Sequence, residues 1–128
     1  MALDENITDR NYLYGRLLAV ADKIENEVHR EKKKEVKQTN AGRYMSAFSQ
    51  RPFKTWRIIE ERLQPYLVSL DSKKKYSYLL DLIHSKFKKE DYESDKKLNG
   101  LYLLGYHCQM MALNSENNEN TKGDDENE

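Results

Sequence analysis

Thr39-Asn-Ala-Gly-Arg-Tyr-Met-Ser-Ala-Phe-Ser-Gln-Arg51-Pro52-Phe-Lys-Thr-Trp-Arg-Ile-Ile-Glu-Glu-Arg-Leu63 joins a basic, aromatic-studded segment to an amphipathic helix that runs on to Leu70. Thr39 or Asn40 can cap a short helix over about 41–49, with Tyr44, Met45 and Phe48 as its apolar contacts. Pro52 suits the first turn of a longer helix, where the missing N–H has no intrahelical partner anyway. Phe53, Trp56, Ile59, Leu63, Tyr66, Leu67 and Leu70 then recur at the helical period, with Lys54, Arg57 and Glu61 on the far side. Pro65 removes one helical hydrogen bond and is expected to kink or divide this helix.

Upstream, Thr8 or Asp9 can cap a helix running to about Arg30. Leu13, Leu17, Val20, Ala21, Ile24 and Val28 share one face, Tyr14 lies at its edge, and Arg16, Lys23 and Glu27 lie opposite. Gly15 and Ala19 fall away from that stripe. They either leave a shallow spot for another helix or reflect a glycine tolerated near the first turn. Residues 29–38 read as a solvated helix end or a mobile loop. Downstream, Asp71-Ser72 ends one helix and can cap the next, about 73–89, with Tyr76, Leu79, Leu80, Ile83 and Phe87 inward. Lys88 to Asp95 is a charged connection. A last helix is expected from about Asp95 to Leu113, capped by Ser94 or Asp95. Leu98, Leu101, Tyr102, Gly105, Cys108 and Ala112 fill one side of it, while Leu103, Leu104, Met110 and Met111 spread around the rest. A helix apolar on most sides is buried on most sides, so this one is either central or also meets another protein.

Persuasive strand alternation and internal repeats are both lacking, so the sequence predicts an all-α bundle of about five helices. Its parts are a flexible lead-in over 1–8, a helical domain over 9–113 and a disordered acidic tail over 114–128, which has no apolar residue. With 128 residues, 34% of them charged, the chain suits one domain and a tail. Its apolar runs are too short to cross a bilayer and no signal peptide is visible, so a cytoplasmic protein with no membrane partner is expected. The single cysteine, Cys108, excludes an intramolecular disulfide. The zero net charge is an average: the tail carries six acids against Lys122, a net −5, which leaves +5 on the rest.

Catalytic and metal signatures are missing: there is no Gly-rich phosphate loop, zinc-ligand spacing or nucleophile elbow. His107 and Cys108 are adjacent and point about 100° apart on a helix, so they do not chelate one ion readily. His84 reads as a boundary residue, Cys108 as a small buried hydrophobe, and Glu60-Glu61 and Asp124-Asp125 as solvated. Neither an enzyme nor a metal nor any other cofactor is expected. What remains is charge. Between Arg30 and Arg57 nine bases face two acids, a net +7, with Tyr44, Phe48, Phe53 and Trp56 interleaved. Cations for phosphates and flat faces for bases are what a single strand needs, although a basic run is also an ordinary solvated face. Phe53 and Trp56 sit on the core stripe and read as core. The candidate nucleic-acid contacts are therefore Arg43, Arg51, Lys54, Arg57, Lys32, Lys33, Lys34 and Lys37, with Tyr44 the one aromatic placed near them.

Three motifs then carry a resemblance. Tyr12-Leu-Tyr-Gly-Arg-Leu-Leu-Ala-Val20 resembles a Tyr-Leu-Leu-Gly-Arg-Leu-Phe-Ala segment in the C-terminal part of the large subunit of type I-C CRISPR surveillance complexes (Cascade). Thr39-Asn-Ala-Gly-Arg-Tyr-Met-Ser-Ala47 with Pro52 is similar to that family's Thr-x-x-x-Arg-Tyr-Phe-x-x-Ala motif and its downstream proline. Leu101-Tyr-Leu-Leu-Gly-Tyr-His-Cys-Gln109 is similar to its closing Leu-Gly-Tyr-x-x-Gln. The resemblance spans about residues 9–109, in family order.

It implies an all-helical, non-catalytic small subunit, the C-terminal region made separately from an internal start. Such a subunit would stand in more than one copy beside the backbone and large subunits, touch crRNA only indirectly, and help hold the displaced non-target DNA strand. Arg43 matches a motif position; the other cations rest on charge alone. Arg16 also matches and is expected in a structural salt bridge, with Gly15 and Gly105 as packing glycines. Tyr14 departs from the family's usual Leu, and Pro65 and the acidic tail are further departures. The rival readings are a structural spacer touching only protein and an unrelated helical adaptor whose last helix binds a partner.

Overall fold

The computed structural model describes residues 2–32 and 39–126, with side chains of the last helix described as far as Ser115. Its helices are α1 (Arg10–Glu31), α2 (Asn40–Gln50), α3 (Pro52–Ser69), α4 (Lys73–Ser85), α5 (Lys89–Tyr92) and α6 (Leu101–Glu126), and no strand occurs among the described residues. The all-α bundle is as the sequence predicts, with the single-turn α5 additional to the five helices expected. The expected helix over 73–89 stops at Ser85, and the chain turns so that Phe87 and Tyr92 both reach the Tyr14 ring, at 4.9 and 5.9 Å.

The central helix is α1, not the last helix. Asp9 caps it, accepting a hydrogen bond from the Asn11 N–H at 2.8 Å. Every residue from Tyr12 to Ala21 is buried, so the stripe read from periodicity is only one of its covered faces. It packs against α6 along its length and also meets α2, α3 and α4. Each fully buried leucine here, such as Leu13, Leu17 or Leu18, contributes about 1.5–3 kcal/mol of apolar transfer. Tyr14, expected at the edge of the stripe, is a hub. Its ring meets Phe48, Phe87 and Tyr92, and its hydroxyl donates to the Tyr92 carbonyl.

Two glycines set the α1–α6 distance. A Cβ on Gly15 would overlap the Tyr102 carbonyl oxygen and sit 2.8 Å from the Tyr106 nitrogen. A Cβ on Gly105 would overlap the Tyr12 carbonyl oxygen and sit 2.9 Å from its carbon. Backbone therefore meets backbone on both sides of this seam, and the packing role is the one the structure gives Gly15. Tyr106, beside Gly105, ties the seam by donating to Asp22 at 2.7 Å. Arg16, expected opposite the core in a salt bridge, lies inside this seam fully buried. Its Nε donates to the Gln109 amide oxygen at 2.8 Å, so the partner seen in place of the expected carboxylate is an amide.

The start of α6 differs from expectation. It begins at Leu101, where the Asn99 side chain accepts from the Leu101 N–H at 2.9 Å. Residues 93–100 are committed elsewhere. Arg10 donates to the carbonyls of Asp91, Ser94 and Lys96, and the Leu98 N–H bonds the Ser49 carbonyl at 2.8 Å. Asp95 caps a different helix: its carboxylate accepts from the Lys54 N–H at 3.0 Å, in the first turn of α3, whose own N-cap Arg51 makes no side-chain cap bond. Pro65 does not divide α3; it faces solvent, where water can satisfy the freed carbonyl. Ser72 gives α4 no side-chain cap, its hydroxyl lying instead 3.5 Å from Glu27. The α6 backbone continues past Leu113 to Glu126.

Candidate nucleic-acid interface

The basic segment begins where α1 gives way to α2. Thr39 caps α2 with its hydroxyl, accepting from the Gly42 N–H at 3.0 Å. Glu25 of α1 supports the same helix end. Its carboxylate accepts from the Asn40 N–H at 2.7 Å and from the Asn40 side-chain amide at 2.9 Å. Burial pushes the Glu25 carboxyl up from its ordinary range, while the Asn40 N–H and the neighbouring His29 pull the other way. These bonds hold the first turn of α2 against α1, and thereby fix where Arg43 stands.

On α2, Arg43, Ser46, Ala47 and Gln50 form the exposed face, and Phe48 is fully buried. Tyr44 is half-buried, and the guanidinium carbon of Arg62 from α3 lies 5.6 Å over its ring. Lys32, Asn40, Arg62, Pro65 and Tyr66 line one shallow concavity beside it. The first cation group is therefore Lys32, Arg43 and Arg62. All three are exposed, and each comes from a different helix or helix end.

A second group lies at the other end of α2. Arg51 and Lys54 flank the α2–α3 corner, both exposed. Arg43 and Arg51 are about 12 Å apart along the helix, at about 1.5 Å per residue. Arg57 is exposed on α3 but turned from Arg62 by about 140° at 3.6 residues per turn. It lies 5.7 Å over the Phe53 ring and lines a shallow hollow with Glu60 and Glu61, so acids dilute its charge. Lys33, Lys34 and Lys37 lie outside the described residues. The structure thus brings Lys32 to the Arg43–Tyr44 end, keeps Arg51 and Lys54 together with Arg57 one turn further along α3, and turns Arg57 away from Arg62. Arg62 was missed because the basic window closes at Arg57. Nothing in the spacing pairs Arg62 with Tyr44 on another helix.

The aromatics divide as the core stripe predicts. Trp56 is fully buried, and Phe53 is half-buried with its ring 5.3 Å from Tyr92. Tyr92 is surrounded by Tyr14, Phe53, His84 and Phe87, and burial, with Glu60 adding to it, pushes its phenol up to about 12. His84 sits half-buried 3.6 Å from Glu60, at the boundary expected of it. Among the described residues no three His, Cys, Asp or Glu side chains gather to hold a metal ion, and no helix is long and apolar enough to cross a membrane.

The three sequence motifs now have a geometry. The first and third face each other across the α1–α6 seam, through Gly15, Arg16, Gly105 and Gln109, and the second builds the start of α2. The model of the family described as CRISPR-associated protein (Cas_Csd1) matches residues 1–114. No curated protein matches the chain significantly. Since that match takes in all of α1 to α5 and the seam-forming part of α6, the chain belongs to this family of CRISPR-associated proteins, which is of type I-C.

Proposed function

We propose that this chain is a non-catalytic small subunit of a crRNA-guided type I-C effector complex, and that it steadies the displaced non-target DNA strand of the R-loop. The observation that carries this reading is the exposed cation surface of α2 and α3, with Lys32, Arg43 and Arg62 at one end and Arg51 and Lys54 at the other. Cations spread along exposed helix faces suit phosphate contact without base readout. The two groups stand about 12 Å apart along α2, so they can meet separate phosphates of one strand. R-loop formation is a nearly balanced exchange of duplexes, so modest contacts to the released strand are enough to tip it.

Assembly would use a different face. Leu103, Leu104, His107, Met110 and Met111 follow one another along the outer side of α6, with Leu103 49% and Met111 43% exposed. That apolar stripe suits neighbouring protein: the backbone and large subunits or a further copy of this chain. The test is R-loop formation by the reconstituted complex with Arg43, Arg51, Lys54 and Arg57 changed to Glu. The expected outcome is a complex that assembles but binds target DNA about tenfold or more weakly at moderate salt. With Gln at the same four positions, the log–log salt slope falls by about 3, at about 0.7 per lost phosphate contact. Unchanged target binding by the assembled Glu variant would overturn the DNA role and leave a spacer touching only protein.

A further inference from the structure

Arg16 is the least satisfied polar group in the core. A guanidinium carries five N–H donors. The Nε donor goes to Gln109, whereas Nη1 and Nη2 are buried without a hydrogen-bond partner. A buried charge left so incompletely paired is costly, and burial lowers the Arg16 pKa accordingly.

The surroundings point to one carboxylate. Residues 2–6 lie across α6, anchored by the Asp4 N–H, which donates to the Tyr12 hydroxyl at 3.1 Å. Glu5 sits in the turn closed by the Ile7 N–H to the Asp4 carbonyl. The exposed Glu5 lines two adjoining cavities, one walled by Cys108 and Ala112 and the other by Gln109 and Leu113. Glu5 and Gln109, the residue that already holds Arg16, thus face one space, and the Glu5 charge is the strongest that favours the charged form of Arg16. Of the other charged and titratable groups nearby, Asp4 is held in its own turn by the Asn6 N–H, the Tyr12 hydroxyl accepts from the Asp4 N–H, Cys108 walls the first cavity, and Lys75 lies across the second.

We infer that residues 2–8 form a latch, in which Glu5 swings into the space beside Gln109 and its carboxylate takes the free Nη1 and Nη2 of Arg16 as a two-point ion pair. A planar carboxylate matches the guanidinium fork on two parallel bonds. The latch gives the lead-in a fixed place against the α1–α6 seam.

The test is Glu5→Gln, an exposed substitution that leaves the core intact, read in two ways on the full chain. Glu5→Gln raises the unfolding constant by about tenfold or more at pH 7, and speeds backbone amide exchange over residues 2–8. In an Arg16→Gln background, where folding is checked by circular dichroism, Glu5→Gln has no further effect. Less than about a twofold change in unfolding, with unchanged amide exchange over residues 2–8, would overturn the latch and assign the Arg16 nitrogens to buried water.

Discussion

Gly105→Ala puts the α1–α6 seam to its sharpest test. On an isolated helix this change is favourable by about 1 kcal/mol, because alanine loses less backbone entropy than glycine. In the folded chain the new Cβ meets the Tyr12 main chain, overlapping its carbonyl oxygen and lying 2.9 Å from its carbon and 3.1 Å from its Cα. These are backbone atoms of the central helix, so no rotamer change relieves them, and the two helices must part by about 1 Å. A gap of about 0.5–1 Å forfeits about a quarter to a half of each dispersion contact along the seam. Strain of this kind costs about 1–3 kcal/mol and more where backbone must move. We expect a net loss of about 1–2 kcal/mol, strain and lost dispersion together outweighing a helix-propensity gain of about 1 kcal/mol. The assay is urea unfolding followed by circular dichroism at 222 nm, with Gly100→Ala as the control. A Cβ on Gly100 meets nothing within 4 Å, so that variant should be neutral or up to about 1 kcal/mol more stable. Gly105→Ala matching or exceeding the parent in stability would show that the two backbones do not approach as described.

Two further outcomes follow from the sites. Glu25→Ala removes both acceptors at the start of α2 and should cost about 1–3 kcal/mol, whereas Glu25→Gln, which keeps one acceptor oxygen, should cost less. Because burial raises the Glu25 pKa above its unfolded value, its contribution is full below the unfolded pKa and lost as pH rises through the folded one. The stability of the parent relative to Glu25→Gln should therefore improve on acidification from neutral pH, and a chemical-denaturation series against pH that shows no such difference would refute the burial of the carboxylate. Leu103→Gln with Met111→Gln should leave the unfolding free energy of the isolated chain within about 0.5 kcal/mol of the parent, because both side chains are exposed. The same pair should reduce co-purification with the partner subunits, and normal assembly would remove α6 as their docking face.

The elements legible in the sequence are those whose signals are local. Thr39 and Pro52 mark the starts of α2 and α3 because capping and the proline N1 preference act within one turn. Phe53 and Trp56 were separable from the cations because the period assigns them to the stripe. What the period cannot resolve is a helix covered on every side. On α1 it ranks Leu13 and Leu17 above Arg16, yet α6 covers the second face and buries all three. Asp95 has the chemistry of a cap, but it serves Lys54 on another helix, and no local spacing encodes that. The candidate interface was legible as composition only. That Arg43 and Arg51 occupy opposite ends of α2, and that Arg62 joins the first group, depends on how α2 and α3 pack.

The pairing of α1 with α6 also bears on how the chain is made. The helix buried on most sides is synthesised well before the partner that covers its second face. At about 5–20 residues per second, Glu31 precedes Leu113 by roughly 4–16 s. Throughout that interval the face of α1 around Gly15 and Arg16 has no α6 to meet, and α2 to α4 can cover only the opposite sides. Closing the seam joins distant parts of the chain, so the loop-closure entropy is met last and folding should be slower than for a bundle of sequence-adjacent helices. A nascent chain halted before Leu101 would present a glycine-notched helix surface to whatever else is near the ribosome.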